Sequence, residues 1–453
     1  MKTHRIAVLA GDGIGKEVIP TGIEVLKAAA SREGFALELA TFPWGCDFYL
    51  KNGRMMDADA VEQLMKFDAI YLGAIGDPKV PDHISAGELL LPLRRRLVQY
   101  VNLRPVRLLP GIISPLAGRT AADIDIVCVR ENSEGEYCGI GGRVHTGTPD
   151  ELAEQTGIFT RRGIERIARY GFTLAAARPR KLLASATKSN ALQHSMMLWD
   201  EVVGQIAKEF PQVDYKKYYV DAIAARLVTH PQTLDTILCS NLFGDILTDI
   251  GSAISGSLGI APSGNINPER TAPSMFEPIH GSAPDIAGKG IANPVGAIWA
   301  GAMMLVHLGE RAAHDRIVSA IGRVFAEGEM KTPDLGGKST TKEVGAAIAQ
   351  AVTEESRPSL IAAYSGCTEP SAHRIRSGGS LQVRSRMCGG RSSFRTIANS
   401  PISGDSPSRN TTGRLRTMVK SAACAAPSMR PSVAGNTHAN RPPGARWTAA
   451  TRA

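Results

Sequence analysis

Asp245 and Asp249, in the run Asn241-Leu-Phe-Gly-Asp245-Ile-Leu-Thr-Asp249, are four residues apart, so on a helix both carboxylates leave from one face. Two like charges at that spacing destabilise a helix unless a cation compensates them, and a divalent metal would do so. Oxygen-only ligation suits Mg²⁺ or Mn²⁺ better than Zn²⁺. The plainer reading of the same spacing is two carboxylates favouring the positive end of a helix dipole. A third carboxylate, Asp221, closes the strand candidate at 217–221. Strand ends in open α/β sheets are where ligands sit, although Asp serves equally well there as a helix N-cap.

Arginines supply the opposite charge. Arg104 precedes Pro105 and is biased to extended backbone. Arg130 closes the apolar run Ile126-Val-Cys-Val129, and Arg94 lies in Leu93-Arg94-Arg95-Arg96. A guanidinium at the mouth of an apolar strand can grip a carboxylate with two parallel hydrogen bonds. For Arg95 and Arg96 a solvated helix face is explanation enough. Lys188, just past the strand candidate at 181–186, and Tyr137, after Glu134-Gly-Glu136, are the candidates for accepting and donating a proton.

The elements that must position these groups alternate. Strand candidates fall at 5–10, 36–42, 69–72, 124–129, 181–186, 217–221 and 236–240, and helical spacing through Val18, Ile19, Ile23, Val25 and Leu26 follows the first. Several strands are apolar at consecutive positions, which implies burial on both faces, parallel pairing and covering helices. The class is α/β. Gly11-Asp-Gly-Ile-Gly15 sits between strand and helix, but its spacing is one residue short of the dinucleotide fingerprint, so it reads as a tight turn. Between 136 and 150, glycines and short polar-apolar alternation predict a protruding hairpin arm, whose edges invite a second copy of the chain.

Composition narrows the class. The 453 residues are 43% hydrophobic and 21% charged, with no apolar run long enough to span a bilayer and no leader at Met1, so a soluble cytoplasmic protein is expected. Seven cysteines without a CxxC pair suggest neither a zinc site nor a disulfide framework. The net charge of +9 is unevenly spread: from Thr353 onward there are 15 basic residues, 14 of them Arg, against 4 acidic ones. Residues 1–352 therefore carry 37 basic and 39 acidic groups. The tail at 353–453 is rich in Ser, Arg, Pro and Gly without periodicity, so disorder is expected. Without interleaved aromatics it makes a poor nucleic-acid arm.

Taken in order, Gly-Asp-Gly-Ile-Gly, Val-Asn-Leu-Arg104-Pro, Val-Arg130-Glu-Asn-Ser-Glu-Gly-Glu-Tyr137, Thr-Lys188-Ser-Asn190, Ser-Asn-Leu-Phe-Gly-Asp245-Ile-Leu-Thr-Asp249 and Glu277-Pro-Ile-His280-Gly-Ser-Ala-Pro-Asp285 through Asn293-Pro resemble the β-decarboxylating dehydrogenases. That family includes isocitrate, isopropylmalate, homoisocitrate and tartrate/D-malate dehydrogenases. The resemblance spans about residues 4–352. Tyr100-Val-Asn-Leu-Arg-Pro and Gly-Ile-Ala-Pro-Ser263-Gly-Asn-Ile-Asn267-Pro-Glu-Arg270 look most like its tartrate/D-malate branch. Ser85-Ala-Gly-Glu88 departs from that branch's Ser-Leu-Trp-Gly, and Leu90 with Leu91 resembles the apolar wall of isopropylmalate enzymes.

The resemblance implies an isopropylmalate-dehydrogenase-like fold of two α/β domains sharing a central sheet. Residues 1–99 with 254–352 would form the large NAD-binding domain, and 100–253 the small substrate, metal and dimerisation domain. It implies that Arg94, Arg104 and Arg130 hold substrate carboxylates, with Leu90 against the variable group. Asp221, Asp245 and Asp249 match metal ligands, Lys188 the base and Tyr137 the acid. Lys188 and Asp221 would reach the site from the neighbouring subunit of a homodimer. NAD would bind outside any Rossmann turn, on His280, Gly281, Ser282, Ala283, Asp285, Ile286 and Asn293, where the Asp285 charge would repel the 2′-phosphate of NADP. The implied reaction is NAD- and Mg²⁺- or Mn²⁺-dependent oxidation of a small-molecule 2-hydroxy diacid, D-malate or tartrate, with decarboxylation where a β-carboxylate allows, and with K⁺ as a candidate accessory ion. The alternative is 3-isopropylmalate dehydrogenase. No membrane or nucleic-acid partner is expected.

Overall fold

The computed structural model describes residues 1–354; the expected tail at 353–453 lies almost wholly outside the described residues. Ten strands form one sheet: β1 (Lys2–Gly11), β2 (Phe35–Thr41), β3 (Ala69–Ala74), β4 (Val101–Arg107), β5 (Asp125–Glu131), β8 (Leu182–Thr187), β9 (Asp214–Tyr219), β10 (Thr236–Cys239), β11 (Pro262–Ile266) and β12 (Ser274–Pro278). Two more, β6 (Gly135–Val144) and β7 (Leu152–Ile158), pair only with each other. The order across the large sheet is β2-β1-β3-β12-β11-β4-β5-β10-β8-β9.

Every residue of β3, β4, β10, β11 and β12 is buried; β3 and β10 are the consecutive apolar runs that covering helices require. The expected parallel pairing holds on both flanks of the sheet. The centre differs: β11 runs antiparallel to both β12 and β4, and β4 antiparallel to β5. The apolar runs did not reveal these central strands, because β4, β11 and β12 bury polar and charged side chains such as Asn102, Arg104, Asn265 and Glu277. The strand expected at 217–221 ends at Tyr219, and Asp221 lies in the first turn of helix Val220–Thr229. Asp221 thus neither closes a strand nor serves as the N-cap, a position held by Tyr219.

The glycine-rich segment forms a tight turn between strand and helix, as its spacing indicated. Gly13 has φ 49°, and a Cβ there would stand 2.0 Å from the Ser282 carbonyl oxygen. The Ile14 amide donates to that same carbonyl at 2.9 Å, so this turn fastens the 280–294 loop to the end of β1. Asp12 consolidates it by accepting from the Cys46 and Gly76 amides. The arm is an antiparallel hairpin of β6 and β7, longer than the sequence suggested, with Ile140, Val144 and Leu152 exposed. Among the described residues no helix is long and apolar enough to cross a membrane, and four cysteines are present as free thiols.

Candidate active site

Strands β4 and β5 bring two of the three arginines together. Asn102 faces Arg130 across the strands and Arg104 lies two residues further along β4, so Arg104 and Arg130 share a face of the sheet. Arg94 comes from helix Leu91–Arg96, one turn after Leu90, which is half-buried in the π-helical turn Ala86–Leu90. All three guanidinium residues are buried, Arg130 to 1% exposure. Charges this far from water need partners.

Helix Asn241–Ile254 supplies one. Asn241 Oδ1 accepts from Arg130 Nε at 3.0 Å and Nη2 at 2.7 Å, while Arg130 Nη1 pairs with Asp245 Oδ1. Arg104 Nη1 donates to Thr248 Oγ1 at 2.6 Å and lies 3.4 Å from the same Asp245 oxygen. Tyr137, at the root of the arm, donates its hydroxyl to Asp245 Oδ2 at 2.9 Å, and the Arg130 guanidinium carbon sits 5.6 Å from the Tyr137 ring centroid. Arg94 Nη2 donates to Glu277 Oε1 at 2.9 Å.

The electrostatics follow from these contacts. Burial pushes the Asp245 carboxyl up, but Arg130 and Arg104 outweigh it and hold the group below the usual carboxylate range. Asp249, one turn on and without that close pairing, is raised: burial and the Asp245 charge outweigh the pull of Arg104. The same helix face therefore carries one carboxylate held ionised by arginines and one that a further cation would favour. Burial and the Asp245 charge also raise the Tyr137 phenol, which keeps it protonated at neutral pH. Arg130 is lowered to about 10, first by burial and then by Arg104, and stays charged at neutral pH.

The structure thus gathers Arg94, Arg104, Arg130, Tyr137, Asp245 and Asp249, with Leu90 at the edge. Lys188 and Asp221 stand apart as a pair of their own, Nζ to Oδ1 at 2.7 Å, with Lys188 5.8 Å from the Tyr219 ring centroid. Lys188 lowers the Asp221 carboxyl by hydrogen bonding to it. Among the described residues no three His, Cys, Asp or Glu side chains gather as a metal site. The donors that one chain presents, Asp245 and Asp249, are hard oxygens suited to Mg²⁺ or Mn²⁺ and fill only part of a coordination shell. Two buried donors, Arg94 Nε and Arg104 Nε, have no protein partner, which fits a site that receives an anion.

The 280–294 loop lies beyond the ends of β1 and β12. His280 Nδ1 is 2.9 Å from the Gly281 carbonyl oxygen, while its Nε2 is buried without a partner, and burial lowers its pKa. Ser282 holds the first turn, Ala283 has φ 41°, and the Ile286 amide donates to the Ala283 carbonyl. Gly281 has open space where a side chain would stand, and Asp285 is exposed. Asn293 donates to Asp334 Oδ2 at 3.0 Å and accepts from the Val295 amide. An orphaned ring nitrogen and an exposed carboxylate fit the ribose hydroxyls of a dinucleotide.

Residues 5–348 match the family of isocitrate/isopropylmalate dehydrogenases. The chain belongs to that family. A decarboxylating D-malate dehydrogenase of Escherichia coli is 55% identical over 359 residues, covering 78% of this chain and 99% of the relative. A tartrate dehydrogenase/decarboxylase of Pseudomonas putida is 53% identical over 354 residues, covering 76% of this chain and 97% of that enzyme. The crystal structure of isocitrate dehydrogenase from Methylococcus capsulatus superposes with a TM-score of 0.71 at 34% identity, covering 78% of this chain and all of that one. As a member of this family the chain is an oxidoreductase with the mixed sheet described above, and the motifs on which the resemblance rested carry the clustered side chains.

Sequence reasoning gave no role to Asn241, Thr248 or Glu277. All three stood inside quoted motifs, and an acidic residue following Met275-Phe276 was the available signal for Glu277. Asn241 and Thr248 carried none, because an amide or hydroxyl gains its role only from what lies opposite.

Proposed function

We propose that this enzyme oxidises a 2-hydroxy diacid, D-malate or tartrate, with NAD as hydride acceptor and Mg²⁺ or Mn²⁺ at the carboxylates, malate losing CO₂. The observation that carries the reading is the gathering of three buried arginines, Arg104 and Arg130 on the Asp245–Tyr137 pair and Arg94 near enough to act on Asp245 through its charge, with the Nε donors of Arg94 and Arg104 unpartnered. Identity above 50% to D-malate and tartrate dehydrogenases supports the same substrate class.

Arg94, Arg104 and Arg130 bind the two substrate carboxylates and set the orientation of the carbon between them. Asp245 and Asp249 hold the divalent ion, with Asp221 and Lys188 contributed by a second copy of the chain, the arms at 136–150 pairing the subunits. When bound, the metal supplies Lewis-acid polarisation and NAD the hydride acceptor. Lys188 takes the proton of the substrate hydroxyl. Tyr137, held protonated by burial and by Asp245, delivers a proton to the carbon left by CO₂. His280, Gly281, Ser282, Ala283, Asp285, Ile286 and Asn293 hold the dinucleotide, and the Asp285 charge selects against a 2′-phosphate. On this reading residues 1–99 and 254–352 bind NAD, residues 100–253 bind diacid and metal, K⁺ is an accessory activator, and the homodimer works in the cytoplasm.

The test is NADH formation with D-malate, the tartrate isomers, 3-isopropylmalate and isocitrate, with and without Mn²⁺ and K⁺, on protein first stripped with EDTA. Turnover of D-malate or tartrate that needs Mn²⁺ and prefers NAD⁺ is expected. A preference for isopropylmalate or NADP⁺, or undiminished activity after stripping, contradicts the reading.

A further inference from the structure

Four buried amide side chains, Gln99, Asn102, Asn132 and Asn265, lie between the arginines, where apolar residues would be the cheaper filling for a sheet interior. Asn265 is their hub. Its Oδ1 accepts from Asn102 Nδ2 at 3.0 Å and from Asn132 Nδ2 at 2.9 Å. Its Nδ2 donates to Glu277 Oε1 at 2.7 Å, the same oxygen that receives Arg94 Nη2. Each contact leads toward the arginines. Glu277 grips Arg94, Asn102 faces Arg130 across β4 and β5 and lies two residues before Arg104, and Asn132 lies two residues after Arg130.

We propose that Asn265 is a positioning residue for diacid binding: one amide, through Glu277, Asn102 and Asn132, sets Arg94 relative to Arg104 and Arg130. The three arginines arise from a helix and two strands, and β11, which carries Asn265, separates β12 with Glu277 from β4. Amide and carboxylate geometry is directional, so the hub allows one spacing of the guanidinium groups where an apolar core would tolerate several. The inference rests on the diacid reading above.

The test uses Asn265→Asp in the full chain. Asp keeps both acceptor contacts, to Asn102 and Asn132, but faces Glu277 with a like charge, which loosens the anchor of Arg94. The expected result is a rise of about tenfold or more in KM for the diacid, with KM for NAD⁺ changed less than twofold. A merely structural defect would shift both constants together. A second variant, Asn265→Leu, deletes all three hub bonds at similar volume and should raise the diacid KM at least as far, again with KM for NAD⁺ changed less than twofold. A diacid KM unchanged in both variants overturns the proposal, as does a rise of both constants together. Wild-type protein that oxidises no diacid would instead refute the functional reading, so the two failures are distinguishable.

Discussion

Gly244→Ala sets two effects of known size against each other. Gly244 lies in helix Asn241–Ile254, where replacing Gly by Ala ordinarily stabilises by about 1 kcal/mol. Here the added Cβ would stand 2.5 Å from Arg130 Cγ, 2.6 Å from its Cβ and 2.9 Å from its Cδ. Ordinary contact needs about 1 Å more, and the Arg130 stem has no room to retreat, because the residue is 1% exposed and its head is held by Asn241 and Asp245. Overpacking of this kind costs about 1–3 kcal/mol, which cancels or exceeds the propensity gain. Stability should therefore fall by about 0–2 kcal/mol, and Tm by a few degrees. The larger effect belongs to function. A misplacement of about 1 Å in a substrate-holding group lowers kcat/KM on the order of a hundredfold. Steady-state kinetics on the diacid, beside a thermal melt, reads both quantities. A variant that melts higher than wild type and keeps its diacid KM would refute the placement of Arg130 against this helix.

Other outcomes follow from contacts elsewhere in the fold. On the proposed NAD site, Gly13→Ala, with its Cβ 2.0 Å from the Ser282 carbonyl oxygen and a backbone φ of 49°, should raise the Kd for NADH by tenfold or more, measured by fluorescence titration, and unchanged binding would detach the first turn, or the 280–294 loop it holds, from dinucleotide binding. At Glu310 burial raises the carboxyl, but the hydrogen bonds from Lys2 and His4 outweigh it, so its folded pKa lies below the ordinary value. A depressed carboxylate stabilises fully above its unfolded pKa, near 4.3, and loses that contribution as pH falls through the folded value. Glu310→Gln should therefore cost about 1 kcal/mol between pH 6 and 8, a figure already discounted for the exposed Lys2, with the gap to wild type closing below about pH 4 in denaturant titrations. A gap that widens in acid would reverse the sign of that argument. Removal of residues 355–453 takes away the basic excess of the chain, so retention on a cation-exchange or heparin matrix should fall while turnover stays within twofold. Lost turnover would give the tail a role in catalysis.

The arrangement of charge explains why so many ionic groups can be buried together. Three arginines face Glu277 and Asp245 directly, with Asp249 one turn further on, and Asn241 and Thr248 satisfy guanidinium protons that the carboxylates do not reach. A buried ion pair contributes little net stability but becomes costly when one partner is removed, so the site is held together by mutual dependence. Two guanidinium Nε donors remain for a ligand. Cys128 and Cys239, 3.2 Å apart at their sulfurs on β5 and β10, lie beside Arg104 and Arg130, their partners in the strand register, and burial raises the Cys239 thiol well above its usual range, which suits apolar packing better than reactivity.

Much of this was legible in the chain itself. Consecutive apolar runs marked the flanking strands and their burial, but β4, β11 and β12, buried though they carry Asn102, Arg104, Asn265 and Glu277, gave no such run. The i, i+4 spacing placed Asp245 and Asp249 on one face, and the short glycine spacing at 11–15 marked a turn. Ordered motifs identified the family. Other features depended on tertiary structure. The antiparallel centre of the sheet, the pairing of Asp221 with Lys188 and the roles of Asn241, Glu277 and Asn265 all depend on partners in other elements of the fold, and the helical placement of Asp221 was likewise not visible in the strand pattern. Periodicity reports which face of an element is apolar and is silent about which element comes to lie against it. Directional bonds between distant amides, carboxylates and guanidinium groups exist only once the strands have been brought side by side.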